Sequence, residues 1–284
     1  MYGRQCSRGW TKESLLKKVK PMKVKKLICK SLYLYLFWIG VCLPLSCKQG
    51  TVSPSKAPTA LIEDAKWKSE LVQLEKLPAN GLTTDTPTMI LLHGLGSNEK
   101  DLFSFAQHFS PEWLVLSLRG PLNIGEDRFS WFQLQRSQLG WTYNFEDVFT
   151  ARELVARHIG EAIEKYKLNP NNICLGGFSQ GAILSLATGL KYPDKIRGIV
   201  SLSGHLYPEI KNDMANYTAL SDSKLFISHG NLDQVLPPEP MRTSVNELKG
   251  LGLQVSDFWY DSQHTISSEN FRDLLRWLKK EFSE

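Results

Sequence analysis

The chain has 284 residues, 42% of them hydrophobic, and a formal net charge of +5, enough for one large α/β domain with a sizeable core. Ten of its 34 Lys and Arg lie within residues 1–30 against Glu13 alone, so the body is net acidic. That excludes a nucleic-acid-binding domain, which needs basic residues on its folded surface. Cys6, Cys29, Cys42 and Cys47 fall in the first 47 residues and leave Cys174 alone in the body, where no disulfide partner and no zinc-like Cys/His spacing accompanies it.

Residues 1–46 read as an export signal. A basic run, Lys23 to Lys30, precedes an apolar stretch from Leu32 to Leu45, which falls short of the roughly 20 residues a spanning helix needs and suits a signal-peptide core. Met22 stands where a start codon would give a signal of ordinary length. The stretch ends in "LPLSC", which resembles a bacterial lipobox with Cys47 as the lipidated residue, Pro44 standing where the usual pattern has Leu. The expectation is an exported protein, either a membrane-anchored lipoprotein or periplasmic in a bacterium, with an uncleaved membrane anchor as the alternative. Residues 47–66 are polar and Pro/Ser-rich and read as a flexible linker. The folded domain is expected over 67–284, beginning at Trp67.

"ELVQLEKL" (70–77) reads as an antiparallel edge strand. "TMILLHG", "WLVLSL", "NICLGGF", "RGIVSLSG", "KLFISHG" and "LQVSDFWY" are short, continuous apolar runs, the pattern of strands buried on both faces of a parallel sheet. "EDVFTARELVARHIGEAIEKY", "GAILSLATGLKYP", "EPMRTSVNELKG" and "SENFRDLLRWLKKEF" carry helical periodicity. Strands alternating with helices predict a mostly parallel, doubly wound α/β sheet flanked by helices on both faces, with ligands bound beyond the carboxyl ends of the strands. The connection from Arg119 to Asp147 is long and rich in aromatic residues. It reads as a lid or binding loop, or as a segment whose aromatics pack it onto the domain.

In Gly177-Phe178-Ser179-Gln180-Gly181 a G-x-S-x-G pattern lies between a strand and a helix. Small flanking residues permit the sharp turn that exposes a serine hydroxyl above a sheet, and the helix start supplies N–H groups for a developing oxyanion. Such a serine needs a base, and in this arrangement the acid and then the histidine follow it in the chain. His264, in the loop "YDSQHTIS", is the histidine that follows a plausible acid. Asp233, in "HGNLDQVLP", is the preferred acid, with Asp257 and Asp261 as rivals by order alone. The N–H groups of Leu95, in "LLHGLGS", and of Gln180 are the expected oxyanion donors, and His93 is read as bracing that loop. No metal or organic cofactor is expected.

With "LLHGLGS", "LRGP", "WF", "GGFSQGA", "SLSG", "HGNLDQVLP" and "HTIS" in order, the chain resembles the phospholipase/carboxylesterase family, which includes acyl-protein thioesterases. The resemblance implies an α/β-hydrolase fold without a separate cap domain, with Ser179 as nucleophile, Asp233 as acid and His264 as base. It also implies Leu95 and Gln180 as oxyanion donors, and Trp131 and Phe132 beside an acyl pocket. The implied activity is a serine carboxylesterase acting through an acyl-enzyme on acyl esters, with lysophospholipids and acyl thioesters among the candidate substrates. The expected partner is a small acyl ester or lipid, with membrane association through the N-terminal segment or Cys47. A non-catalytic binding module on the same scaffold, or a peptidase or dienelactone-type hydrolase, is the alternative.

Overall fold

The computed structural model describes residues 71–137 and 140–282. The export signal, Met22, Cys47, the linker and the domain start at Trp67 all lie outside the described residues. Among the described residues, no helix is long and apolar enough to cross a membrane.

Eleven strands and seven α-helices follow in the described chain: β1 (Gln73–Lys76), β2 (Thr88–Leu92), α1 (Glu99–Phe103), β3 (Leu114–Leu118), β4 (Leu122–Gly125), β5 (Arg128–Ser130), β6 (Leu134–Ser137), β7 (Gly140–Tyr143), α2 (Phe145–Tyr166), β8 (Ile173–Phe178), α3 (Gln180–Lys191), β9 (Gly198–Leu202), α4 (Pro208–Asn212), α5 (Tyr217–Leu220), β10 (Lys224–Gly230), α6 (Glu239–Gly250), β11 (Gln254–Tyr260) and α7 (Ser268–Phe282). Seven strands form one sheet in the order β1-β3-β2-β8-β9-β10-β11. Every pair in it is parallel except β1 with β3, so the edge strand and the doubly wound sheet take the forms expected.

The continuous apolar runs are explained by burial on both faces. Successive side chains of a strand point to opposite sides of the sheet, so Ile90 and Leu92 join a core with Val155 and Ile159 of α2 and Ile183 and Leu186 of α3. Met89 and Leu91, on the same strand, join another with Leu102 of α1 and Trp277 and Leu278 of α7. Each helix closes one of these two layers. The α2 helix is started by Asn144, whose side chain accepts the Glu146 N–H, and ends at Lys167 in the left-handed conformation.

The connection from Arg119 to Asp147 carries two antiparallel pairs, β4 with β5 and β6 with β7. The β4–β5 pair is fastened to the loop after β2, because the Phe129 N–H donates to the Ser97 carbonyl and the Gly96 N–H to the Phe129 carbonyl. The segment therefore builds one wall of the region above the carboxyl end of the sheet.

Candidate active site

Ser179 occupies the single-residue corner between β8 and α3, with φ 54° and ψ −114°. An L-residue is strained there, and the neighbours show what holds it. A Cβ at Gly181 would lie 2.1 Å from the Leu92 carbonyl oxygen, and one at Gly177 would lie 2.4 Å from the Gly181 backbone. Only glycines at both positions let α3 start this close to β2. The Ser179 N–H donates to the Leu202 carbonyl of the neighbouring strand at 2.9 Å, which ties the corner to the sheet.

The Ser179 hydroxyl lies 2.8 Å from the Nε2 of His264, and the Nδ1 of His264 lies 2.6 Å from the Asp233 Oδ2. Asp233 follows β10 and His264 follows β11, so the parallel pairing of β8, β9, β10 and β11 delivers all three side chains to the same end of the sheet. The other Asp233 oxygen accepts the N–H groups of Val235 and Leu236, each at 2.9 Å. Burial alone would push the Asp233 carboxyl up, but the bond from His264 and these two N–H groups outweigh it and hold the group below the usual carboxylate range. The rival acids are engaged elsewhere: Asp257 accepts from Lys249 and from the Trp259 indole, and Asp261 from Asn231.

His229 was legible only as the residue before the acid loop. Its Nε2 lies 2.7 Å from the Leu236 carbonyl and 3.2 Å from the Asp233 carboxylate, with its side chain wholly buried. His205 reaches the next carbonyl, that of Pro237, at 2.7 Å. Two buried imidazoles thus brace the loop that carries Asp233. Burial lowers the pKa of both, which keeps them neutral near pH 7.

A cavity of about 420 Å³ opens over Ser179, and Leu95, Gln180 and His264 line it. Among the described residues, the N–H groups of Leu95 and Gln180 have no acceptor. The remaining wall is Gly94, Leu134, Tyr143, Phe178, Tyr207, Val235 and Leu236. It is mainly apolar, with two phenol groups as its polar features apart from the reacting end.

Trp131 and Phe132 do not line this cavity. Both are fully buried. The indole of Trp131 packs against the His93 ring and donates to the His93 carbonyl at 2.9 Å, while Phe132 meets Tyr143 edge to face from behind. The expected substrate wall is formed instead by Leu134, Tyr143 and Tyr207. His93 is the brace it was expected to be: fully buried, it accepts the Gly120 N–H on Nε2 at 2.9 Å. Among the described residues, no group of three His, Cys, Asp or Glu side chains is placed to hold a metal ion.

The sequence pattern of the phospholipase/carboxylesterase family matches residues 79–282. Acyl-protein thioesterase 1 of Yarrowia lipolytica is 29% identical over 232 residues, covering 74% of this chain and 97% of that protein. Acyl-protein thioesterase 1 of Saccharomyces cerevisiae is 28% identical over 233 residues, covering 69% and 93%. In fold, the chain superimposes on the carboxylesterase of Bacillus cereus with a TM-score of 0.65 at 22% identity, over 76% of this chain and 96% of the other. Acyl-protein thioesterase 2 of Zea mays gives 0.58 at 20% identity, over 74% and 99%.

Proposed function

The chain belongs to the phospholipase/carboxylesterase family and is a serine hydrolase of carboxylic esters, and on that premise we propose that Ser179, His264 and Asp233 carry out its reaction. The observation that supports this is the unbroken line from the Asp233 carboxylate through both nitrogens of His264 to the Ser179 hydroxyl, at 2.6 and 2.8 Å.

In this reading the Ser179 Oγ attacks the acyl carbon while His264 Nε2 takes its proton. Asp233 fixes the tautomer by accepting the Nδ1–H and stabilises the imidazolium without becoming protonated. The carbonyl oxygen becomes an oxyanion between the N–H groups of Leu95 and Gln180. Collapse breaks the bond to the leaving alcohol or thiol, which receives the proton from His264. Water then attacks the acyl-Ser179 ester, again deprotonated by His264, and the carboxylic acid leaves.

The substrates we assign are acyl esters with an uncharged, mainly apolar acyl group, lysophospholipids and acyl thioesters among them. The apolar cavity wall supports the acyl part, and the names of the thioesterase relatives support the thioester part. Export and membrane association through Cys47 are part of the same proposal and rest on the "LPLSC" pattern. Labelling of cells with a clickable fatty acid tests the anchor, and a protein that stays unlabelled at Cys47 removes it.

Hydrolysis of a series of nitrophenyl esters by the purified protein and its Ser179→Ala variant tests the reaction. Turnover is expected to fall by at least about 10³-fold in the variant. Full turnover without the Ser179 hydroxyl would overturn the assignment.

A further inference from the structure

The two N–H groups assigned to the oxyanion come from segments far apart in the chain, and one buried residue is bonded to both. Trp131 uses its backbone N–H to donate to the Gln180 side-chain oxygen at 2.8 Å. Its indole N–H donates to the His93 carbonyl at 2.9 Å. Gln180 returns the grip, since its side-chain amide donates to the Phe132 carbonyl at 2.8 Å and its oxygen also accepts the Ser130 hydroxyl at 3.1 Å. His93 is held in turn by the Gly120 N–H on Nε2, which leaves Nδ1 to donate to the Gly94 carbonyl at 2.7 Å. Trp131 and His93 are fully buried and Gln180 is 1% exposed.

We propose that Trp131 is a positioning residue that sets the separation of the oxyanion donors Leu95 and Gln180 by bonding to both arms that carry them. The proposal rests on the reading of Leu95 and Gln180 given above. Both N–H groups of a buried tryptophan must find acceptors. Here each N–H of one residue ends on a different arm: one on the side chain of Gln180, the other on a carbonyl two residues before Leu95.

The chemical consequence follows from how such donors work. They stabilise the transition state when they lie about 2.7–3.1 Å from the place the charged oxygen will occupy, and they do so because their positions are fixed beforehand. A displacement of about 1 Å costs on the order of 10²-fold in rate. The loss falls on the charged oxygen and spares ground-state binding of the acyl chain. Trp131 thereby acts on the reaction from behind the cavity wall, without touching substrate.

Trp131→Phe keeps an aromatic filler and removes the indole N–H. Its expected effect is a fall of about 10- to 100-fold in kcat/KM for a nitrophenyl ester, with rates referred to sites titrated by a fluorophosphonate so that unfolded molecules do not count. The inhibition constant of a trifluoromethyl ketone of the same acyl length should rise by the same factor, because the ketone forms the oxyanion. The matching alkyl ether, which cannot, should bind as it does to the unsubstituted protein. Unchanged kcat/KM and ketone affinity would overturn the proposal, as would an equal loss of ether affinity, which would mean that the ring shapes the pocket instead. If Trp131→Phe does not fold, Gln180→Met, which removes the oxygen that accepts the Trp131 N–H, is read by the same three measurements. The underlying reading fails separately: an unsubstituted protein that binds the ketone no more tightly than the ether has no oxyanion hole for Trp131 to set.

Discussion

His229 and Asp233, four residues apart, face each other at 3.2 Å with neither side chain exposed to solvent. The imidazole also reaches the Leu236 carbonyl, so it links the carboxylate to the loop that follows. His229→Leu leaves two buried acceptors short of a donor and is expected to destabilise the protein by about 1–3 kcal/mol. His229→Gln, whose terminal amide can stand where Nε2 stood, should recover part of that loss. Urea unfolding of the two variants decides: equal losses would show that only ring packing matters.

Buried and half-buried histidines also predict how stability follows pH. Burial lowers the pKa values of His93, His158, His205 and His229, whereas in the unfolded chain each takes up a proton below about pH 6.5. Just below that pH the unfolded state therefore binds more protons than the folded one, and stability falls as pH drops. Each histidine contributes at most about 1.4 kcal/mol per pH unit. The lowered pKa of Asp233 adds a separate loss only below about pH 4. Urea midpoints at pH 7.5, 6.5 and 5.5 should decline in order, and a flat series would contradict the burial of these rings.

Ser179→Gly should abolish ester hydrolysis and yet raise the melting temperature. The backbone strain at φ 54° and ψ −114° is of order 1–3 kcal/mol for a residue with a Cβ, against roughly 0.5–1 kcal/mol for the added freedom of glycine in the unfolded chain. A net gain of about 1 kcal/mol corresponds to about 2–4 °C in a domain of this size. Gly181→Ala should do the opposite, because its Cβ would run into the Leu92 carbonyl. Scanning calorimetry that ranked the two variants the other way would remove strain from the account of this corner.

Tyr143 lines the cavity and is backed by Phe132 and Tyr207, both edge to face. Tyr143→Ala should lengthen the space open to an acyl chain, moving the optimum of a nitrophenyl ester series to longer chains while the shortest ester keeps kcat/KM within a few-fold. An optimum that does not move would place the selective contact elsewhere in the wall.

The parts of the molecule that were legible in the sequence are those where one physical requirement dominates a short stretch. Residues 88–92 and 114–118 are buried at every position, and apolar at all but Thr88 and Ser117, because both faces of the sheet are covered, and Gly177 and Gly181 are glycine because a Cβ has no room. The parallel topology brings Ser179, Asp233 and His264, each following its own strand, to one end of the sheet. The two hairpins between Arg119 and Asp147 were not legible, since their strands have three or four residues each, too few to establish an alternation. An aromatic residue also does not state which way it faces: Trp131 and Phe132 pack inward, and the cavity takes its phenols from Tyr143 and Tyr207, 64 positions apart. The bracing role of His229 is a long-range contact with no local pattern to announce it.

His264 comes after β11, the last strand among the described residues and the edge strand opposite β1. Ser179 and Asp233, the proposed nucleophile and acid, belong to earlier strands, so a chain emerging during synthesis acquires the proposed base at the end, once that outermost strand has docked on β10. On the proposed assignment, the hydrolase is expected to stay silent until its fold is complete. In a refolding time course, regain of ester cleavage should trail the recovery of helical signal, and turnover can serve as a clock for the closing step of assembly.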